Sequence, residues 1–167
     1  MPATIRPARA TDVETFVLIE NTVFQTDRMT RRSFLRLMKS PTAVMFAAEI
    51  GEHIAGYCVL LFRAGSRKAR LYSIASYPCE GVAGIGRSLL HAAERAALAH
   101  GRHILKLEVR ENNSRAISLY EKNGYRRIGM EPNYYADGSP ALRYEKRLDG
   151  ADRDGATAGN HRISASA

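Results

Sequence analysis

Scarce cysteine and the lack of long apolar runs set the first limits on this sequence. Cysteine occurs only as Cys58 and Cys79, and we expect both thiols to be reduced rather than bridged. No apolar run approaches the ~20 residues that a membrane-spanning helix needs, so no membrane partner is expected. Residues 1–6 lack the apolar core of a signal peptide, and the cytoplasm is therefore the expected compartment. The histidines show no metal-ligand spacing, so we expect no metal site.

The composition is that of a globular domain with an excess of positive charge. The 167 residues are 45% hydrophobic and 25% charged, with a formal net charge of +8 and a sequence pI of about 9.8. Such a charge favours an anionic partner: nucleic acid, a polyphosphate cofactor or an acidic protein surface. The basic residues are scattered and no nucleic-acid motif is present, so a nucleic-acid partner is not expected.

Hydrophobic periodicity predicts a mixed α/β domain over residues 1–148. The predicted order is a strand, two helices, a three-strand meander, a helix, a strand, a helix and two further strands. Thr11 is predicted to cap the first helix, with Glu14 completing a capping box. Residues 149–167 are rich in Gly, Ala, Ser and Asp without periodicity, and we predict a flexible tail there.

A glycine-spaced turn joins the predicted strand over 71–75 to the next helix. Its letters run Gly81-Val82-Ala83-Gly84-Ile85-Gly86-Arg87-Ser88. A helix that begins here leaves backbone N–H groups free, and its N-terminus carries a partial positive charge. The turn therefore suits a phosphate or pyrophosphate, although Gly-x-Gly alone is a weak signal.

The segment about twenty residues further on indicates the function of this turn. Leu107-Glu108-Val109-Arg110 is followed by Asn113, Ala116, Leu119, Tyr120, Gly124 and Tyr125. Over roughly residues 4–148 the chain resembles the GNAT superfamily of acyl-coenzyme-A-dependent N-acetyltransferases, in particular the ribosomal-protein alanine N-acetyltransferase group. The resemblance implies a mostly antiparallel sheet of about seven strands with a splayed parallel pair, about four helices, and acetyl-CoA (coenzyme A) as cofactor. It also implies a monomer or homodimer.

The resemblance implies a set of cofactor-binding residues around the turn and on the elements beside it. These are Ile74, Ala75, Gly81, Val82, Ala83, Gly84, Ile85, Gly86, Arg87, Ser88, Asn113 and Tyr120. Gly81 departs from the family, which usually has Arg or Gln at this position, and Val82 stands where many members have Gly. Loss of one polar contact worth about 1–3 kcal/mol would weaken cofactor affinity by about one to two decades.

Two residues are implied to act on protons. Glu108 is the candidate general base for the attacking amine; spacing alone favours an exposed strand residue between Lys106 and Arg110, and the motif match reverses that preference. Tyr120 is the candidate general acid for the departing thiolate; the alternative is an aromatic that packs in the core. Backbone N–H groups at Ile74 and Ala75 are the candidate donors to the thioester carbonyl.

The acceptor is implied to be an amine, most simply the N-terminal amine of a protein or peptide. Tyr134 and Tyr135 resemble the paired tyrosines of the family's acceptor-side loop, and Glu20, Phe24 and Arg28 are expected to flank the acceptor. Trp is absent and the first two helices are unfamiliar, so a small-molecule amine stays open as the acceptor. A non-catalytic acyl-CoA sensor and a basic nucleic-acid-binding protein are the alternatives from other functional classes.

Overall fold

A computed structural model describes residues 3–77 and 82–150 of the chain. The described residues form one open sheet of seven strands in the order β1-β2-β3-β4-β5-β7-β6, with four α-helices. The strands are β1 Thr4–Pro7, β2 Ala43–Ile50, β3 His53–Phe62, β4 Lys68–Ser76, β5 Ile104–Arg110, β6 Arg126–Glu131 and β7 Ala141–Arg147. The helices are α1 Val13–Val23, α2 Arg31–Met38, α3 Ile85–Ala99 and α4 Ser114–Lys122. The predicted α/β class and the predicted order of elements are confirmed.

Helices pack on both faces of the sheet and create two cores. On one face α3 and α4 cover an aliphatic core that includes Leu89, Leu90 and Leu105. On the other face α1 and α2 bury an aromatic cluster against β3. Its rings are Phe16, Phe34 and Tyr57, with centroids 5.1–5.7 Å apart. Each helix thus buries its apolar stripe, which is the main source of its stability.

The start of the first helix differs from the prediction. Thr11 does not cap α1, because a 3-10 turn over Ala10–Asp12 precedes the helix. The carboxylate of Asp12 accepts the backbone N–H of Arg9 at 2.7 Å and forms an ion pair with Arg6 at 2.8 Å. The predicted capping box with Glu14 is therefore wrong. Asp12 is only 6% exposed, and its tie to β1 outweighs a local cap by Thr11.

A buried carboxylate fixes the loop between α1 and α2. Glu20 is 2% exposed; its Oε2 accepts the backbone N–H of Met29 at 2.7 Å, and its Oε1 accepts the hydroxyl of Tyr57. Burial raises the pKa of Glu20 to about 7, although the bond from Met29 opposes the shift. Glu20 therefore couples the loop over residues 24–30 to the aromatic core.

The parallel strands β4 and β5 pair over only three positions. Lys68, Ala69 and Arg70 pair with Ile104, Leu105 and Lys106, respectively. Beyond these pairs the two strands diverge, while β3 stays paired with β4 up to Ser76 and β7 with β5 up to Arg110. The sheet is therefore opened between two strands that are each held firmly from the other side.

Gly56 allows β3 to approach the diverging part of β4. A Cβ added there would stand 2.8 Å from the carbonyl oxygen of Ala75 and 3.1 Å from Cδ1 of Leu89. We expect Gly56→Ala to lower the free energy of unfolding by about 1–3 kcal/mol, because backbone must move to admit the methyl group. Gly129→Ala on β6, where an added Cβ meets nothing within 4 Å, is the matched control in urea unfolding. Equal stability of the two variants would contradict the close approach.

The pKa of Glu20 predicts a pH-dependent stability. Its pKa is higher in the folded state than the usual value near 4.3, so the unfolded chain releases this proton first. The contribution to the free energy of unfolding therefore falls as pH rises from about 4.5 to about 7, and is level above that. Because glutamine does not titrate, Glu20→Gln should gain on the order of 2 kcal/mol relative to the unsubstituted protein between pH 5 and pH 8.

Urea unfolding at the two pH values measures this gain. Glu14→Gln, which removes a carboxylate that is 68% exposed on the same helix, is the control and should show no comparable change. An equal difference at pH 5 and pH 8 for Glu20→Gln would show that the folded protein does not raise this pKa.

Candidate active site

A cleft of about 780 Å³ lies at the diverging ends of β4 and β5. It is bounded by the end of α1, the end of β4, the start of α3 and one side of α4. Its lining residues are Val23, Phe24, Ile74, Ala75, Ser76, Tyr77, Val82, Ala83, Gly84, Ile85, Gly86, Arg87, Asn113, Arg115, Ala116, Ser118, Leu119, Tyr120 and Lys122. Elements that are far apart in sequence thus converge on one site.

The start of α3 faces this cleft with free backbone donors. Gly84 adopts φ of 81°, a left-handed conformation that glycine tolerates best, and it precedes the first helical residue. The first N–H bonded within the helix is that of Ser88, which donates to the carbonyl oxygen of Gly84 at 2.9 Å. The amides of Ile85, Gly86 and Arg87 precede it and have no acceptor within the helix. They are suited to bind an anion.

Gly86 also brings the two helices of this site together. A Cβ added at Gly86 would lie 3.3 Å from Cδ2 of Leu119 on α4. The lack of a side chain at Gly86 therefore allows close packing of α3 on α4, in addition to the role of this glycine in the turn. This contact sets the width of the cleft between the start of α3 and the side of α4.

The cleft gathers the predicted cofactor-binding residues with two exceptions. Gly81 lies outside the described residues, as does Cys79. Ser88 does not line the cleft, and its amide is bonded within α3, so the structure gives it no direct place at the site. The other predicted members line the cleft: Ile74, Ala75, Val82, Ala83, Gly84, Ile85, Gly86, Arg87, Asn113 and Tyr120.

Two cations at this cleft were not among the predicted site residues. Arg115 and Lys122 on α4 line it together with Arg87 on α3. Arg115 and Lys122 stand seven positions apart, two helical turns, and so share one face of α4. This spacing is the sequence pattern from which a basic face of α4 could have been predicted. No ion pair joins any of the three to another described residue, so they offer positive charge to a bound anion.

One edge of β4 presents backbone donors to the gap. Tyr77 donates its N–H to Ala55 on β3 at 2.8 Å. Because amides alternate along a strand, those of Ser73 and Ala75 also turn towards β3, and those of Ile74 and Ser76 turn towards the gap. The backbone N–H of Ile74 therefore faces the gap and remains a candidate donor to the thioester carbonyl. Ala75 lines the cleft, but its N–H faces β3. The N–H of Ser76 also faces the gap, and it was not among the predicted donors.

Tyr120 and Asn113 reach the cleft from α4. Tyr120 is 4% exposed and packs on Tyr125 and Tyr144. Burial raises its pKa, and so, to a lesser degree, do Tyr135 and Cys58, so its hydroxyl stays protonated. Asn113 caps α4 by accepting the N–H of Ala116 at 3.2 Å. Both residues therefore combine a structural contact with a position at the cleft.

Glu108 stands on β5 in a contact that the sequence did not predict. Arg70 on β4 donates to Glu108 Oε1 from Nε at 2.9 Å and from its terminal nitrogen at 2.8 Å. The same arginine donates to the hydroxyl of Tyr134 at 2.7 Å. The Glu108 side chain is 16% exposed, and no described residue bonds to its Oε2. The carboxylate is thus oriented through one oxygen and available through the other.

The two loop tyrosines lie beside Glu108. Tyr134 and Tyr135 pack edge to face with centroids 4.9 Å apart. Burial, Tyr134 and Glu108 raise the pKa of Tyr135 to about 12 against the opposing effect of Arg110. Tyr135 also contributes to the raised pKa of Tyr120, so it lies near both the candidate base and the candidate acid. This arrangement was not evident from sequence spacing.

The remaining predicted acceptor residues take different places. Phe24 lines the cleft. Arg28 donates to the carbonyl oxygens of Phe24 and Asn21, so it closes the end of α1. Glu20 is buried with both oxygens bonded inside the protein, so it holds the loop over residues 24–30 instead of facing the cleft.

Two features that the described residues lack bear on the kind of site. Among residues 3–77 and 82–150 no group of three or more His, Cys, Asp or Glu side chains is placed to hold a metal ion. In the same part of the chain no helix has the length and apolar character to cross a membrane. The groups assembled at the cleft are backbone amides, cations, a buried phenol and a nearby carboxylate.

Comparison with known proteins shows the family to which a chain with this site belongs. The Acetyltransferase (GNAT) family profile matches residues 12–125. The N-alpha-acetyltransferase of Sulfurisphaera tokodaii is 32% identical over 148 residues, which cover 82% of this chain and 88% of that protein. The N-alpha-acetyltransferase RimI of Mycobacterium tuberculosis is 30% identical over 154 residues, which cover 90% and 95%.

A solved structure agrees with these matches. The ribosomal-protein-S18-alanine N-acetyltransferase from Escherichia coli superposes with a TM-score of 0.74 at 26% identity, covering 87% of this chain and 94% of that one. Its fold, the family profile and the site described above lead to one conclusion. The chain belongs to the Acetyltransferase (GNAT) family and is an N-acetyltransferase whose acetyl donor is acetyl-CoA.

Proposed function

We propose that this enzyme acetylates the N-terminal α-amine of a protein or peptide by direct attack while both substrates are bound. The observation that carries the proposal is that Tyr120 lines the cleft, while Arg70 and Glu108 form an ion pair across β4 and β5 where these strands cease to pair. We assign the proton donor and the proton acceptor to the two sides of one reaction space. The α-amine is supported by the relatives named N-alpha-acetyltransferase.

The residues at the cleft fit acetyl-CoA. Free amides at the start of α3 and the cations Arg87, Arg115 and Lys122 suit its phosphates. The volume of about 780 Å³ is in the range of small-molecule sites. When bound, acetyl-CoA supplies an activated acetyl thioester. We place the cofactor here, with the gap-facing amide of Ile74 as a donor to its carbonyl oxygen.

Proton transfers are assigned to Glu108 and Tyr120. The free Oε2 of Glu108 accepts the proton of the amine, directly or through a water molecule, while Arg70 keeps the carboxylate in place. Tyr120 stays protonated because burial raises its pKa, and its hydroxyl then donates a proton to the departing sulfur. Holding two substrates in one cleft supplies much of the rate acceleration.

The α-amine is a better match to this base than a lysine side chain. A protein α-amine has a pKa near 7.7–8, against about 10.4 for lysine. A carboxylate therefore removes the proton of an α-amine without an extreme shift of the carboxylate's own pKa. Matched peptides test this choice: one with a free N-terminus and no lysine, and one with a blocked N-terminus and an internal lysine. Transfer only to the second peptide, or only to small amines, would overturn the proposed acceptor.

Glu108→Gln tests the base. We expect kcat to fall by about 10²–10⁴-fold and the rise of rate with pH to change, because glutamine cannot accept the proton. Cofactor affinity measured by calorimetry should stay nearly the same. Glu131→Gln removes an exposed carboxylate that pairs with Arg143 at 3.4 Å, and it is the matched control. An unchanged pH–rate profile in Glu108→Gln would remove Glu108 as the base.

Tyr120→Phe tests the acid. No described residue hydrogen-bonds to the Tyr120 hydroxyl, so the variant should fold and bind cofactor normally while kcat falls at least about tenfold. Tyr125→Phe is the control, because Tyr125 donates to Glu94 at 2.8 Å on the side of α3. Steady-state kinetics with one peptide compares the two variants. Full activity of Tyr120→Phe would return Tyr120 to a packing role.

A further inference from the structure

A single arginine at the end of β5 joins two loops on the acceptor side. The loops are residues 24–30, between α1 and α2, and residues 132–140, between β6 and β7. Arg110 donates from one terminal nitrogen to both carboxylate oxygens of Asp137, at 2.9 and 2.8 Å. From the other it donates to Thr26 Oγ1 at 2.8 Å and reaches Asp27 Oδ2 at 3.4 Å. We call these four residues the loop latch.

The loops also touch each other directly within the latch. Asp27 accepts the backbone N–H of Ala136 at 3.1 Å and the hydroxyl of Thr26 at 2.8 Å. Asp27 holds φ of 56°, a left-handed conformation that is uncommon for a residue other than glycine. The side chain of Asp27 thus binds the opposite loop from a constrained turn. One loop therefore does not move far without the other.

The latch is connected to the candidate base by stacked and bonded side chains. The guanidinium of Arg110 lies 4.1 Å from the centroid of the Tyr135 ring. Tyr135 packs on Tyr134, whose hydroxyl is bonded to Arg70, the partner of Glu108. The positions of both tyrosines therefore depend on where the latch holds their loop.

The energetics point to positioning rather than to stability. The side chains of Arg110, Asp27 and Asp137 are 22%, 35% and 48% exposed, and pairs this exposed contribute little to folding. The planar guanidinium nevertheless binds a carboxylate and a hydroxyl at once in directions fixed by its plane, whereas the donors of an ammonium rotate freely. Loss of Arg110 should therefore free the loops without unfolding the domain.

We propose that Arg110 is a positioning residue for the acceptor: by latching the two loops together it fixes the tyrosine pair against which the acceptor binds. This role rests on the proposed function, since it requires an acceptor that approaches Glu108 between these loops. It makes Arg110 act through Tyr134 and Tyr135, with no contact to the reacting atoms.

The test compares Arg110→Met and Arg110→Lys with Arg95→Met. Arg95 is an exposed arginine of α3 on the other face of the sheet, so its replacement removes the same charge away from the latch. Hydrogen exchange should become about tenfold faster in both loops of Arg110→Met, and the KM for a peptide acceptor should rise about tenfold. We expect kcat to stay within about threefold, cofactor affinity to be unchanged and Arg110→Lys to be intermediate.

The outcomes separate this inference from the proposed function. Unchanged exchange in either loop of Arg110→Met would overturn the latch even if the enzyme acetylates peptides. Faster exchange in both loops with an unaltered acceptor KM would overturn the positioning role. If the unsubstituted enzyme transfers acetyl to no peptide, the proposed function fails, and the acceptor role of Arg110 fails with it.

Discussion

The separation of β4 from β5 is the constraint on which the site depends. Neighbouring parallel strands normally share hydrogen bonds along their length, but here the bonds end after Arg70 and Lys106. Both strands remain held by their outer neighbours, so the opening is a rigid feature and not a frayed edge. It leaves polar backbone groups that require a partner, and the proposed partner is the carbonyl group of the acetyl donor. The proposed cofactor cleft and the proposed acceptor loops are both arranged around this opening.

The role of the excess positive charge follows from where the fold places the cations. Many cations that are scattered in sequence form ion pairs, such as Arg6 with Asp12 and Lys146 with Glu94. Arg87, Arg115 and Lys122 are not paired with any described residue, and all three line the cleft. Together with the free amides at the start of α3, they supply positive potential where the phosphates of the donor are proposed to lie. Part of the positive charge behind the net charge of +8 therefore lies at this cleft.

The sequence predicts those parts of the molecule that local patterns determine. Apolar periodicity gives the order of the elements, and the glycine-spaced turn gives the start of α3. Contacts between distant segments leave no such pattern. Asp12 replaces Thr11 at the first helix because of an arginine on β1, and Arg70 reaches Glu108 from another strand. The buried state of Glu20 likewise depends on Tyr57, 37 positions away. These contacts required the structure.

The ion pair between Arg70 and Glu108 adds a selective element to the proposed reaction. A guanidinium paired with the base balances the charge of the carboxylate, so the pair attracts an ammonium ion less strongly than a lone carboxylate would. The neutral amine is the reactive form, and at pH 7 about a tenth of α-amines is neutral, against less than about a thousandth of lysine side chains. Arg70 therefore favours the same acceptor as the basicity argument, because it weakens the attraction of the site for the protonated form. It also fixes Oε1 of Glu108, so that proton transfer is directed to Oε2.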